Sequence, residues 1–193
     1  MVELLLATRN PRKTAEFAQI LGGDYTVADL LSLTNTVEVG ETGATFEENA
    51  LLKAIAASRL TDLLVVADDS GLEVESLGGA PGIRSARYAG ENAIDAENVA
   101  KLLRELRRAG TPSGAEARFY CAIVLAQGGN PIATVAGTVD GSIMSTPKGD
   151  GGFGYDPVFV PEGFDQSFAE LSAETKNRIS HRARAIGALR EHL

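Results

Sequence analysis

Tryptophan is absent from this chain, cysteine occurs once and histidine twice. Each shortage removes a class of structure. Cys121 alone cannot close an internal disulfide, and with only His181 and His192 to assist it cannot complete a structural zinc site. Positive charge is scarce too, because 18 Lys and Arg stand against 26 Asp and Glu, a formal net charge of −8. Sequence-independent binding to DNA or RNA requires a basic face, so no nucleic-acid partner is expected. No stretch approaches the ~18 consecutive apolar residues of a membrane span, and Met1-Val2-Glu3 opens without the basic region of a signal peptide. The expectation is a cytoplasmic protein with no membrane partner, in which any phosphate chemistry is local.

With 193 residues, 44% apolar and 23% charged, the chain has the size and composition of one globular domain, or one domain with two lobes. No repeat, low-complexity tract or linker divides it. Glycine is frequent, with 21 residues, and it clusters at residues 22–23, 78–82, 128–129 and 149–154, which read as turns. Between them, residues 4–7, 63–67 and 122–126 are short apolar runs suited to strands buried on both faces. Helical spacing follows at 10–21, with Pro11 suited to the first helical position. A second helix is predicted over 45–60, where Thr45 and Glu48 form a capping box and Phe46, Ala50, Ala54 and Ala57 line one face. A third, over about 95–109, carries the stripe Val99, Leu102, Leu103 and Leu106. Gln127-Gly128-Gly129-Asn130 separates two strand-like runs, 118–126 and 132–139, as a hairpin turn would. The C-terminus returns to helix, with Ser180 as cap and Ala183, Ile186 and Leu189 facing inward. The pattern predicts an α/β fold, a mixed sheet with helices on its faces.

Ligands in α/β sheets tend to sit beyond the carboxyl ends of strands. After the first apolar run comes Thr8-Arg9-Asn10-Pro11-Arg12-Lys13, three cations where a helix begins. Cations there oppose the helix dipole, so three of them point to a bound anion, and the segment reads as a phosphate cradle. The Walker glycines and GK[ST] are missing, so it is not a P-loop. After the second run comes Asp68-Asp69-Ser70-Gly71, two adjacent carboxylates that resist burial unless a cation gathers them. Mg²⁺ suits that task because it takes oxygen ligands and shares them with substrate phosphates. Neighbouring strand residues point to opposite faces, so one of the two acids meets the metal and the other holds the loop. Glu38 and Glu41 are candidates to complete the site. Residues 149–154 match GxGxxG, but Tyr155-Asp156-Pro157 follows where a dinucleotide fingerprint needs a helix, which excludes that reading. The segment reads instead as a flexible loop presenting Phe153 and Tyr155 to a nucleobase, with Asp156 as acceptor. The competing reading packs these rings into the core. Cys121, in an apolar strand, reads as a packed thiol.

Five segments in register resemble the Ham1-type inosine triphosphate pyrophosphatase family. They are residues 8–13; Glu41-Thr42-Gly43 with Phe46-Glu47-Glu48-Asn49-Ala50 and Lys53; residues 67–72 with Gly79-Ala80-Pro81-Gly82 and Ser85-Ala86-Arg87; Gly152-Phe153-Gly154-Tyr155-Asp156-Pro157; and Ser180-His181-Arg182. The resemblance implies a homodimer with an elongated mixed sheet, two lobes and a central cleft. It also implies Mg²⁺-dependent hydrolysis of deaminated purine triphosphates (dITP, ITP, XTP) to monophosphate and pyrophosphate. By the same resemblance Thr8, Arg9, Asn10, Pro11, Arg12 and Lys13 hold the triphosphate, Asp69 is proton acceptor and metal ligand, and Ser70 contacts substrate. Phe153, Gly154, Tyr155, Asp156, Lys176, His181 and Arg182 frame the base and its phosphates, and Lys53 joins Arg12 and Lys13 in offsetting the leaving pyrophosphate. Gly40 precedes Glu41 where the family often has a second acid, so the second metal ligand stands between Glu41 and Glu38. A Maf-type pyrimidine triphosphate pyrophosphatase and a non-catalytic nucleotide sensor are the alternatives.

Overall fold

The computed structural model describes residues 2–33 and 39–193. Among them six strands build one mixed sheet: β1 (Val2–Leu6), β2 (Tyr25–Asp29), β3 (Leu64–Val74), β4 (Ala115–Gln127), β5 (Asn130–Ile143) and β6 (Phe159–Pro161), in spatial order β2-β1-β3-β4-β5-β6. β1 runs parallel to both neighbours, with Leu4 opposite Val27 and Leu64, whereas β5 and β6 are antiparallel, with Ser142 opposite Val160. Gly128 and Gly129, both at positive φ, are all that separates β4 from β5, and so short a connection imposes an antiparallel pair. The helices are α1 (Pro11–Leu21), α2 (Phe46–Ser58), α3 (Asp95–Arg108), α4 (Ala173–Ile179) and α5 (His181–Leu189).

The chain forms two compact units. The first contains Met1–Asp69, Cys121–Gly137 and His181–Leu193, and the second contains Ser70–Tyr120 and Thr138–Ser180. Three of the four passages between them fall inside β3, β4 and β5, so no linker composition marks the boundary. The core of the first unit joins Leu4 and Leu6 of β1, Phe17 and Leu21 of α1, Ile123 and Leu125 of β4, and Ile186 and Leu189 of α5. Cys121 lies in it, and burial pushes its thiol up to about 12, as a packed and unreactive sulfur requires. In the second unit Val99, Leu102, Leu103 and Leu106 of α3 pack with Phe119, Phe159 and Phe168. Truncating a fully buried leucine such as Leu102 to alanine there costs about 2–5 kcal/mol.

Asp68, Asp69, Ser70 and Gly71 do not end the second predicted strand. They lie in the middle of β3, which continues through Val74. The apolar run ends at Ala67, but the strand persists because partners on other elements serve both buried carboxylates. β2 and β6, the two outer strands, and the seven-residue α4 go beyond the sequence reading. Each is too short to show a period of its own.

Candidate active site

In the first unit β1 delivers the chain to the start of α1. Thr8 Oγ1 accepts from Asn10 N at 3.1 Å, and Asn10 caps the helix, its Oδ1 accepting from Arg12 N at 3.0 Å. With Pro11 at the first helical position, the turn is closed by its own side chains. No acid occupies the first helical turn. Arg9 and Arg12 are exposed. Lys13 reaches away instead, and its Nζ donates to Asp68 Oδ1 at 3.1 Å and Oδ2 at 2.9 Å. One of the three cations expected to await an anion therefore already has a carboxylate, 55 residues further along the chain.

The two aspartates of β3 divide as strand alternation requires. Asp68 has 1% of its side chain exposed and takes, besides Lys13, the guanidinium of Arg182, with Nη2 at 3.5 Å. Arg182 also donates through Nη1 to Glu16 of α1, and its guanidinium lies 5.9 Å from the Phe17 ring centre. Burial would raise the Asp68 carboxyl, but Lys13, Arg182 and Lys53 hold it well below the usual carboxylate range. Burial likewise opposes the charge on Arg182, which Asp68 and Glu16 more than restore. Arg182 is thus a tie between α5, β3 and α1. Both of its Nη atoms meet carboxylates, a use not anticipated for a residue expected to frame a base.

Asp69 belongs to a different cluster. Its Oδ1 accepts from Lys53 Nζ at 3.1 Å and its Oδ2 from Asn49 Nδ2 at 3.2 Å, while Lys53 Nζ also donates to Glu41 Oε1 at 3.0 Å. Burial raises the Asp69 carboxyl above its ordinary value, Lys53 opposing and Glu41 adding to the rise. Lys53 is itself raised, since Asp69, Asp68 and Glu41 outweigh its burial. Both directions follow from one imbalance: several acids share one ammonium, so the cation is held charged and Asp69 is under-served. Glu41 and Asp69 converge on a single cation, and two such carboxylates suit Mg²⁺, which needs few protein ligands when phosphates and water supply the rest. Among the described residues no three His, Cys, Asp or Glu side chains are placed to hold a metal unaided. Glu38, the other candidate, lies outside the described residues.

α2 places Lys53. Thr45 caps it, Oγ1 accepting from Glu48 N at 3.1 Å, but Glu48 reaches back to Ala44 N at 2.6 Å rather than to Thr45, so the predicted capping box is shifted by one residue. Phe46, Ala50, Ala54 and Ala57 form the buried face as expected. Asn49, one turn before Lys53, is fully buried and escaped the sequence reading as a site residue. The available signal was a polar amide beside the apolar face of a helix, four residues from a lysine.

The second unit holds residues 149–157 and Lys176. As expected, no helix opens after the glycines. The flexible loop expected there is pinned instead: Phe153 N donates to Asp156 Oδ2 at 2.8 Å, Gly154 N to Asp95 Oδ2 at 3.0 Å, and Tyr155 Oη to Ser85 O at 2.9 Å. A Cβ on Gly152, which sits at φ +69°, would collide with Asp156 Oδ2. Tyr155 is buried in the apolar core of this unit, as the competing reading of the loop has it, whereas Phe153 is only partly buried. Lys176 Nζ donates to Asp156 Oδ2 at 2.6 Å and sits 5.1 Å from the Phe153 ring centre. Ser180 closes α4 before α5 begins at His181, which is buried. Ser70, next to Asp69 in β3, is the first residue of this unit, whereas His181 and Arg182 belong to the first.

The Ham1 family model matches residues 4–192. A dITP/XTP pyrophosphatase of Geobacillus kaustophilus is 51% identical over 99% of this chain and 94% of its own length. One of Bacillus subtilis is 46% identical over 98% and 96%. Among solved structures, the Staphylococcus aureus Ham1 protein superposes with a TM-score of 0.85 at 44% identity, covering 98% of this chain and 97% of that one.

Proposed function

The chain belongs to the Ham1 family, and on that footing we propose that it hydrolyses deaminated purine nucleoside triphosphates (dITP, ITP and XTP) to the monophosphate and pyrophosphate, removing them from the nucleotide pool. The observation that carries the reading is the convergence of Asp69 and Glu41 on Lys53, in the unit that also holds the cationic start of α1. Arg9, Arg12 and the turn around Thr8, Asn10 and Pro11 bind the triphosphate, helped by the helix N-terminus. Lys13 and Lys53 bring further positive charge.

Asp69 orients a water and takes its proton as the oxygen attacks the α-phosphorus. The P–O bond to the bridging oxygen breaks, and pyrophosphate leaves. A carboxylate raised by burial is a stronger base at neutral pH than an ordinary aspartate. Lys53 and Arg12 offset the charge that gathers on the leaving group, so most of the rate comes from positioning and electrostatics. Asp69 and Glu41 would hold Mg²⁺, which supplies positive charge to the phosphate oxygens.

On the base, two residues of the second unit serve: Phe153 offers a ring face and Lys176 a donor for the 6-oxo group. An adenine amino group would leave such a donor unpaired at a cost of about 1–3 kcal/mol. By resemblance alone we read the enzyme as a homodimer. Pyrophosphate release from ITP, XTP, GTP, ATP and UTP, with and without Mg²⁺, tests the reading. Release from ITP and XTP with Mg²⁺ supports it, preference for UTP shifts it to pyrimidines, and binding without turnover leaves a sensor.

A further inference from the structure

Asn49 has no task in the reaction as written, yet it is fully buried and both ends of its carboxamide are used. Oδ1 accepts from Gly43 N at 2.8 Å, and Nδ2 donates to Asp69 Oδ2 at 3.2 Å. The amide orientation follows from its partners, because a backbone N–H can only donate and an ionised carboxylate can only accept. Gly43 follows Glu41 by two residues, in the segment that Glu48 and Thr45 bind to the start of α2. The fit around it is tight: a Cβ on Gly43 would lie 2.8 Å from Asn49 Oδ1 and 2.7 Å from Glu48 Cβ. One side chain thus fixes both the rotation of the Asp69 carboxylate and the backbone that carries Glu41.

We propose that Asn49 is a positioning residue for the reaction assigned above, holding Asp69 from the Nδ2 side and the Glu41 segment from the Oδ1 side so that the two carboxylates keep one spacing. The inference rests on that assignment of Asp69. A purely structural asparagine would serve the segment through Oδ1 alone, and the two roles part in Asn49→Asp, which keeps an acceptor for Gly43 and removes the donor to Asp69.

The test measures pyrophosphate release from ITP together with hydrogen exchange of the Gly43 amide. Asn49→Asp is expected to lower kcat about 10–100-fold, the usual effect of losing a partner behind a ligating or reacting group, with KM little changed and the Gly43 amide still protected. Wild-type kcat in that variant overturns the proposal, as does a fall in kcat that appears only together with loss of Gly43 protection. Should Asn49→Asp not fold, Gly43→Ala displaces the carboxamide from the other side: a lowered kcat supports the proposal and an unchanged one overturns it. Asp69→Asn runs in parallel. An active Asp69→Asn overturns the site reading and this inference with it, whereas an inactive one beside a fully active Asn49→Asp overturns the inference alone.

Discussion

Asp68 and Asp69 are neighbours on one strand, both buried, and their surroundings drive them apart. Asp68 meets two cations, Lys13 and Arg182, and is held below the ordinary carboxyl range. Asp69 shares one ammonium with Glu41 and is raised. The second unit shows an intermediate arrangement, in which Asp156 and Lys176 pair one to one, with 4% and 6% of their side chains exposed. A buried carboxylate with surplus positive charge is a structural anchor. One left short of it keeps an appetite for a proton or a metal, which is what reactivity needs.

Asp69→Asn breaks the comparison most severely. Removing the proton acceptor should lower kcat about 10²–10⁴-fold, measured as pyrophosphate release from ITP, with the fold intact by circular dichroism. The pH profile sharpens the point. Asp69 must be ionised to act, so kcat/KM should fall on the acid side at a pH above that expected for an unperturbed aspartate. Lys53 opposes the rise, so Lys53→Met should shift that acid limb to still higher pH. A limb that stays put or moves down would mean that Asp69 is not the titrating group.

Asp68→Asn should act on stability instead. Removing one partner from a buried ion pair takes from Lys13 its carboxylate and from Arg182 one of the two it meets, at a cost of about 3–5 kcal/mol in urea unfolding. The sign with pH follows from a depressed carboxyl: its contribution is complete above the unfolded-state pKa of about 3.9 and is lost as pH falls from there towards the lower folded value. The gap between wild type and variant should therefore stay constant from neutrality to about pH 4 and close only below it.

Much of this was legible in the sequence, and the omissions have physical causes. Apolar periodicity shows α1, α2 and α3 because each buries one face over several turns, and the Gly128-Gly129 turn between two runs of strand composition shows the β4–β5 hairpin. Strand alternation predicts that the two aspartates face different ways, but which of them faces which cluster depends on partners that alternation does not name. The extent of β3 past Ala67 was not legible, because the residues that let Asp68 and Asp69 remain in a strand come from α1, α2 and α5. The same distance in sequence hid the tie made by Arg182, whose partners Glu16 and Asp68 lie 166 and 114 residues away. Asn49 lies within one of the five segments, but its role depends on Gly43 and Asp69 meeting it from opposite sides.

Lys176→Met probes the balanced pair of the second unit. If Lys176 serves the base, its loss should raise KM for ITP about tenfold, the worth of one charge-assisted hydrogen bond, while kcat stays near wild type. The first unit would then govern turnover and the second affinity. A fall in kcat with KM unchanged would erase that distinction.

The smallest effect separates two rings of one loop. Tyr155 is buried and its hydroxyl donates to Ser85 O at 2.9 Å, so Tyr155→Phe should remove one buried hydrogen bond, lower stability by about 1 kcal/mol and leave KM for ITP unchanged. Phe153 is only partly buried, beside Lys176, and Phe153→Ala should raise KM with little loss of stability. Thermal unfolding and steady-state kinetics on the two variants decide the matter. If Tyr155→Phe raised KM as much as Phe153→Ala, the buried ring would have to reach substrate through a rearranged loop, and the contacts that pin residues 153–156 would open during turnover.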